Sequence, residues 1–351
     1  MRNTRVFFLV WGSSESLVQV IDLRIMMKCE ITRDIQAAAN LIQEGELVAF
    51  ATETVYGLGA NALNPEAVAQ IFAVKQRPHF DPLIVHIYST HQLAELTSEI
   101  SSTAARLADV FWPGPLTLVL PKKKVVPDLV TSGLDSVAIR IPAHPVARKL
   151  LESTQLPIAA PSANKFGRLS PTCANDVAEQ LGDEIKLILD GGPCTVGVES
   201  TVIQCVGDLP VLLRPGGISL EEIQDCVGEV RLAEIEDYAE SNSPVSPGML
   251  PKHYAPSTRL MIVDHPDQLP ETGAIGVLSL FPLEVTEFRD CHFSAQQILS
   301  PTGDLKIAAA NFFAALRKLD ASGIDQIVAL RLPEKGLGRT INNRLERAAA
   351  S

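Results

Sequence analysis

The sequence has few cysteines, and no two of the six lie within four residues of each other. This spacing excludes a zinc ribbon and a C-x-x-C redox pair, and the low density argues against a disulfide scaffold. A reducing, cytoplasmic location fits this cysteine usage best.

Basic residues are also in deficit, with 30 Lys and Arg against 41 Asp and Glu, which gives a formal charge of −11. An acidic surface disfavours non-specific binding to duplex nucleic acid, although a local basic cleft can still hold an anionic ligand. No stretch reaches the ~18 apolar residues of a membrane-spanning helix. We therefore expect no membrane contact.

The common nucleotide, protease and hydrolase signatures are absent: there is no G-x-x-x-x-G-K-[ST], H-E-x-x-H or G-x-S-x-G motif. Residues 57–62 match the dinucleotide fingerprint G-x-G-x-x-A. In that fingerprint, however, the glycines turn directly from a strand into a helix, whereas here a helix start follows only at Asn64-Pro65. We interpret the glycines as a turn that needs small residues.

The length of 351 residues and the apolar content of 46% predict about two globular domains. Helical and strand-like patterns alternate from Thr32 onward, which predicts an α/β fold. The expected division is an N-terminal extension over 1–27, a first domain over 28–227, a linker over 228–258 and a second domain over 259–351. In the second domain a helix is expected over about 304–320, with Ile307, Ala310, Ala314 and Leu316 facing a core.

Cationic residues follow the end of one predicted helix, which begins at Asn64 and runs to about Lys75. Lys75 and Arg77 are followed by Pro78 and Pro82, which fix the backbone around them. A favourable interaction with the helix dipole explains their position but not their density. Because Arg offers a bidentate fork and Lys a point charge, the pair also suits a polyphosphate.

Further polar groups lie at or near the ends of predicted strands. Ser162 and Asn164 follow an apolar strand, Arg140 lies inside another, and Arg214 ends a third. Ligands of α/β folds collect at the carboxyl ends of strands, and a buried arginine needs an anionic partner. Each group alone has an ordinary structural explanation, but together they predict one cationic, hydroxyl-rich site for a small anionic ligand.

A set of motifs distributed over about 28–351 resembles the YrdC-type threonylcarbamoyl-adenylate synthases in their long, two-domain form. The motifs are 52–58 (TETVYGL), 75–78 (KQRP), 82–86 (PLIVH), 112–117 (WPGPLT), 140–142 (RIP), 161–164 (PSAN), 199–201 (EST), 214–216 (RPG), 246–249 (SPGM) and 253–256 (HYAP). The resemblance implies a YrdC-like twisted mixed sheet flanked by helices, followed by a smaller Rossmann-like α/β domain.

It also implies an activity. Such enzymes make L-threonylcarbamoyladenylate and pyrophosphate from L-threonine, bicarbonate or CO2, and ATP with Mg2+. The product serves the threonylcarbamoyladenosine modification of tRNA, so tRNA or tRNA-modification proteins are expected partners.

Residue roles carried over by motif form three groups. The implied catalytic tetrad that grips ATP is Lys75, Arg77, Ser162 and Asn164. The implied L-threonine site is Thr54, His86, Arg140 and Ser200, with Arg140 pairing the substrate carboxylate. Further implied ATP contacts are Asp81, Ser136, Thr172, Arg214 and Tyr254. No direct protein ligand for a metal ion is expected.

Two departures from the family pattern stand out: Asp81 replaces a frequent Asn, and Leu250-Pro251 replaces more polar residues. The chemistry needs no nucleophilic side chain, because charge neutralisation and positioning suffice. We hypothesise that residues 241–256 close over the site and exclude water.

Two alternatives remain at this point. One is a non-catalytic module that binds double-stranded RNA or tRNA, against which the net charge counts. The other is a carbamoyl-phosphate-handling maturation factor of the same fold, a class that carries zinc-finger cysteine pairs.

Overall fold

A computed structural model of the chain describes residues 29–207, 209–233, 253–270, 273–283 and 293–350. The expected N-terminal extension lies outside the described residues, as do residues 234–252 of the expected linker. The described residues form two sheets, one of 11 strands and one of four. None of the helices in the described ranges is both long and apolar enough to cross a bilayer.

The large sheet is mixed, with the order β1-β8-β2-β3-β7-β4-β6-β5-β9-β10-β11. Its strands are β1 (Glu30–Thr32), β2 (Val48–Phe50), β3 (Gly57–Asn61), β4 (Ile84–His86), β5 (Leu116–Pro121), β6 (Ser136–Arg140), β7 (Ile158–Ala159), β8 (Leu187–Leu189), β9 (Thr201–Gln204), β10 (Val211–Arg214) and β11 (Arg231–Leu232). The associated helices are α1 (Ile35–Gln43), α2 (Pro65–Lys75), α3 (Thr90–Leu96), α4 (Ser102–Phe111), α5 (Asp128–Thr131), α6 (Pro145–Thr154), α7 (Ala174–Leu181) and α8 (Leu220–Val227).

Helix α2 shows how the local sequence places the cationic motif. The Asn64 side chain accepts hydrogen bonds from the backbone N–H groups of Glu66 and Ala67, and Pro65 occupies the first turn. The helix ends at Gln76, whose φ of 55° is left-handed. This turn separates Lys75, which is the last residue of the helix, from Arg77, which lies on the following loop.

The second sheet is parallel and has the order β12-β15-β13-β14. It consists of β12 (Arg259–Val263), β13 (Ile275–Ser279), β14 (Ala295–Ile298) and β15 (Gln326–Leu330), accompanied by α9 (Leu305–Asp320) and α10 (Leu337–Ala349). A mixed sheet flanked by helices followed by a smaller α/β unit confirms the expected fold class.

One hydrophobic cluster joins the two units. It contains the core of the second sheet and its helices, including Phe312 and Phe313, together with Val55, Leu169 and Val198 from the first unit. Because all of these side chains are buried, the two units share apolar contacts rather than meeting through a solvated surface.

Two details differ from the sequence predictions. In α9 the expected core face is wrong: Ile307 is 45% exposed and Ala310 and Ala314 are partly exposed, and only Leu316 of the expected set is buried. The adjacent face of α9, which carries the bulky residues Phe312 and Phe313, is buried instead. The last strand of the large sheet, β11, also lies beyond 227, within the range assigned to the linker.

Candidate active site

A pocket opens where the ends of several strands of the large sheet meet His253 and Tyr254, which belong to the described part of the expected linker. All of its lining residues except Ala160 come from the motifs named above, and the wall includes charged, hydroxyl and small side chains. The lining residues are Thr52, Thr54, Val55, Gly57, Arg77, Ile84, His86, Arg140, Ala160, Pro161, Ser162, Glu199, Ser200, Arg214, His253 and Tyr254.

Arg77 is fixed on one side of the pocket by its own loop. Its Nε donates to the carbonyl of Asp81 at 3.1 Å, and Nη2 donates to the carbonyl of Pro82 at 2.9 Å. Nη2 also lies 2.8 Å from the Asp81 carboxylate. Burial raises the pKa of Asp81, and the neighbouring charges of Arg77 and Lys75 oppose this shift. Asp81 thus holds Arg77 instead of lining the pocket.

Lys75 ties helix α2 to the loop that carries Ser162 and Asn164. Its Nζ donates to the carbonyls of Ser162 at 2.5 Å and Asn164 at 2.6 Å. Complete burial, followed by the charge of Arg77, lowers the pKa of Lys75 well below its ordinary value. The Asn164 amide nitrogen donates to the carbonyls of Lys165 and Arg168. Within the described part of the chain, its Oδ1 is buried without a hydrogen-bond partner.

Arg140 is held at the end of β6 by three groups. Nε donates to the carbonyl of Gly114 at 3.1 Å, and Nη1 donates to the Thr54 hydroxyl at 2.8 Å. Nη2 lies 2.6 Å from the carboxylate of Glu53. Burial opposes ionisation of Glu53, but Arg140 and the backbone N–H of Ala143 outweigh it, so the pKa of Glu53 is lowered. The guanidinium is therefore rigid as well as charged.

His86 and Ser200 complete this side of the pocket. Burial, and then the charge of Arg140, lower the pKa of His86 to about 3, so its imidazole is neutral at physiological pH. The Ser200 hydroxyl lies 2.8 Å from that of Thr117 and accepts a hydrogen bond from Arg214 at 3.2 Å. Thr54, His86, Arg140 and Ser200 all line one pocket, as do Arg77 and Ser162.

Five of the sequence-predicted residues are not part of the pocket lining: Lys75 and Asn164 of the expected tetrad, which are buried as described above, and Asp81, Ser136 and Thr172. Ser136 begins β6, four residues before Arg140, which places it ~13 Å along the strand from the pocket end. Thr172 donates its N–H and hydroxyl to the Asp176 carboxylate at the start of α7. Asp81 contacts Arg77, as described above. Arg214 and Tyr254 do line the pocket.

Two family models match the chain. One, Sua5_yciO_yrdC, is described as "Telomere recombination" and matches residues 40–216; the other, Sua5_C, is described as "Threonylcarbamoyl-AMP synthase, C-terminal domain" and matches residues 218–350. The threonylcarbamoyl-AMP synthase of Pyrococcus abyssi is 47% identical over 318 residues, covering 90% of this chain and 94% of its own. That of Bacillus subtilis is 45% identical over 328 residues, covering 90% and 92%.

The chain belongs to the Sua5 family of threonylcarbamoyl-AMP synthases. This confirms the family expected from the motifs, in its two-domain form. Among solved structures, P. abyssi Sua5 complexed with L-threonine superposes with a TM-score of 0.83 at 46% identity, covering 90% of this chain and 94% of that one. The Sua5 fold of this chain thus has a close experimental counterpart.

Sequence reasoning gave no role to two buried carboxylates at this Sua5-type pocket, one in its lining (Glu199) and one paired with a lining arginine (Glu53). Glu53 lies inside the 52–58 motif and Glu199 inside the 199–201 motif, and each is buried against an arginine. An acidic residue directly beside an apolar strand was the available signal, because a buried carboxylate requires a partner. The partner of Glu199 is Arg344, which is 145 positions away and carries no motif.

The donor set of the pocket does not form a metal cage. Across the described ranges, no group of three or more His, Cys, Asp or Glu side chains could hold a metal ion. Glu199, which lines the pocket, and Glu53, which contacts the lining residue Arg140, are both engaged by arginines.

Proposed function

We propose that this protein is a threonylcarbamoyl-AMP synthase that joins L-threonine, CO2 or bicarbonate, and the AMP group of ATP. The observation that carries the proposal is that two rigidly held arginines, Arg77 and Arg140, line the same small pocket. One can neutralise a polyphosphate while the other pairs a carboxylate, so two anionic substrates are held together.

The amino-acid side of the pocket is assigned to Arg140, Thr54, His86 and Ser200. Arg140 pairs the threonine carboxylate, and the hydroxyls of Thr54 and Ser200 supply neutral hydrogen-bond partners. Since His86 is neutral, it adds no positive charge beside the substrate amine. The unprotonated amine can then add to CO2, forming an N–C bond and releasing one proton to give the carbamate.

The nucleotide side is assigned to Lys75, Arg77, Ser162 and Asn164. A carbamate oxygen attacks the α-phosphorus, and the bond from that phosphorus to the pyrophosphate oxygen breaks. Arg77 neutralises charge that develops on the leaving pyrophosphate, while Lys75 fixes the loop of Ser162 and Asn164. Mg2+ bound to the phosphates would supply further charge neutralisation. Arg214 and Tyr254 are proposed to contact the nucleotide, and Asp81 to position Arg77.

The product is proposed to serve threonylcarbamoyladenosine formation in tRNA, with tRNA or tRNA-modification proteins as its consumers. We also propose a cytoplasmic location, because the five cysteines in the described ranges are free thiols. The alternative of a non-catalytic module for double-stranded RNA has no observation in its favour, and the synthase names of the relatives support catalysis instead.

The deciding experiment measures pyrophosphate release from ATP by the full-length protein, with and without L-threonine and bicarbonate. We expect release that depends on both, together with a product of the mass of threonylcarbamoyl-AMP. Release that ignores threonine, or steeply salt-dependent tRNA binding without any release, contradicts the proposal.

A further inference from the structure

One fully buried arginine of the second unit reaches the back of the pocket wall. Arg344 lies on α10 and is completely buried. It is the largest completely buried side chain among the described residues. It lies behind the pocket lining. A charge buried this deeply needs partners, and its partners identify what it does.

The partners of Arg344 belong to three separate segments of the pocket wall. Nε donates to the Glu199 carboxylate at 2.8 Å, just before β9, and Nη2 donates to the carbonyl of Pro215 at 2.9 Å, just after β10. The guanidinium carbon lies 5.1 Å from the centre of the Tyr254 ring, within cation–π range. Nη1 is occupied within α10 by Asn343 at 2.8 Å. One side chain therefore connects Glu199, Tyr254 and the loop after Arg214.

Glu199 depends on this arrangement for its charge. Its other carboxylate oxygen accepts a hydrogen bond from Ser170 at 2.5 Å. The charged and titratable groups that face it are Arg344 and Arg347 of α10, Arg214 of β10 and Tyr254. Burial opposes ionisation, but Arg344 and Arg214 outweigh it, so the pKa of Glu199 lies below its ordinary value.

Stability alone does not explain such a pair. Desolvating two charges costs about as much as their attraction returns, and an apolar pair of similar size often stabilises a core equally well. The geometry instead fixes orientation, because the guanidinium fork constrains a carboxylate, a carbonyl and an aromatic face at once. Two of these groups, Glu199 and Tyr254, line the pocket.

We propose that Arg344 is a positioning residue of the active site, through which the second domain holds Glu199 and Tyr254 in the orientation that the bound substrates require. The proposal rests on the function proposed above for this pocket. Without Arg344, Glu199 would be a buried carboxylate with a weakened partner set, and the ring of Tyr254 would lose the cation behind it.

The test compares Arg344→Met with Arg339→Met in the full-length protein. Arg339 lies on the same helix and also pairs with a carboxylate of the first unit, Glu221, at 3.1 Å, but that pair is partly exposed and neither residue lines the pocket. For R344M we expect kcat/KM for threonine-dependent pyrophosphate release to fall about tenfold or more after correction for the folded fraction. R339M is expected to stay within about twofold of wild type, and Arg344→Lys to retain part of the activity.

A pH profile separates positioning from a structural role. With the loss of Arg344 the pKa of Glu199 rises, so the ratio of R344M to wild-type kcat/KM should decrease as the pH falls from 8 to 6. Protonation of the threonine amine affects both proteins equally and cancels in the ratio. The double variant R344M/E199Q has no carboxylate to titrate, so its ratio should be independent of pH. It also keeps the test usable if R344M alone folds poorly, because it leaves no buried carboxylate without its arginine partner.

A second readout needs no turnover. In protein with 13C-labelled glutamate carboxyls, the resonance of Glu199 is assigned by its loss in E199Q and then titrated. We expect a higher Glu199 pKa in R344M than in R339M. An unshifted titration, or a loss of activity in R344M that equals its loss of folded protein with no change in pH profile, overturns the positioning role. If wild type shows no threonine-dependent release while the titration shifts, the proposed function fails and the positioning of Glu199 stands.

Discussion

The carboxylate of Glu53 lies 2.6 Å from a guanidinium nitrogen of Arg140, and their side chains are only 7% and 3% exposed. Glu53 also accepts hydrogen bonds from the backbone N–H groups of Ala143 and His144, at the start of α6. The ion pair therefore links β6, the 52–58 motif and a helix. It fixes the arginine to which the proposed function assigns the substrate carboxylate.

Glu53→Gln is expected to lower kcat/KM for L-threonine and to destabilise the fold by about 3 kcal/mol near pH 7, because a buried arginine loses its partner. Since the folded pKa of Glu53 is below its ordinary value of 4.5, this advantage is present above that pH. It is lost as the pH falls through the lowered value. Chemical denaturation at several pH values measures it. The control is Glu152→Gln, whose ion pair with Arg148 spans 3.7 Å and is exposed; an equal effect there would contradict the prediction.

Arg77 and Arg140, two of the arginines that line the pocket, should separate the two substrates. Arg140→Lys is expected to weaken L-threonine binding about tenfold or more while changing ATP affinity little, because lysine cannot reproduce three directed contacts. Arg77→Lys is expected to do the reverse. Isothermal titration calorimetry with each substrate checks both, and identical profiles for the two variants would argue against a division of the pocket.

Lys75→Ala should lower kcat/KM about 100-fold, because two carbonyls of the Ser162–Asn164 loop lose the cation that organises them. The same two buried acceptors should cost about 1–3 kcal/mol of stability. Lys165→Ala is the matched control, since Lys165 also reaches the end of α2, at Val74, but is partly exposed. Steady-state kinetics and thermal unfolding give the comparison, which fails if both lysines behave alike.

His86 should make the fold acid-sensitive. Its folded pKa of about 3 lies below the ordinary 6.5, so the unfolded chain binds the proton first. Between pH 6.5 and 3, this group should reduce the free energy of unfolding by about 1.4 kcal/mol per pH unit. His86→Asn removes that slope. Urea unfolding of both proteins from pH 7 to pH 5 tests this; parallel pH dependences would show that His86 is not held neutral.

Gly197 lies where the first unit meets α9, with a φ of 74°, and a Cβ there would come within 2.5 Å of the Ala310 Cα. Gly192 has a similar φ of 81°, but a Cβ would meet nothing within 4 Å. Both alanine variants carry the same backbone strain, so a larger decrease in the melting temperature of Gly197→Ala reports the contact between the units. Equal decreases would mean that α9 moves away from the added methyl group with no loss of stability.

Much of the fold followed from local patterns. Asn64-Pro65 marked the start of α2, and the apolar runs around β5, β6 and β10 marked buried strands, because caps and periodicity act over a few residues. The same local patterns brought Arg77, Ser162, Arg140 and Arg214 to strand or helix ends, and the structure places all four on one pocket wall.

Contacts between residues that are far apart in the sequence could not be predicted from these local patterns. That Glu199 meets Arg344, and that Glu53 rather than a substrate already contacts Arg140, depends on tertiary packing that no window of sequence contains. The inward face of α9 was missed for a related reason. Its periodicity admits two neighbouring faces, and the large rings of Phe312 and Phe313 decide between them only once the partner surface exists.

The apolar cluster that joins Phe313 to Val55, Leu169 and Val198 limits which truncated forms of the protein can be studied. A truncated protein that ends after the large sheet would expose this apolar surface beside the pocket, so poor expression or inactivity of that fragment would say little about the chemistry. Chimeras between relatives should exchange the helix bearing Arg344 together with the wall residues it contacts.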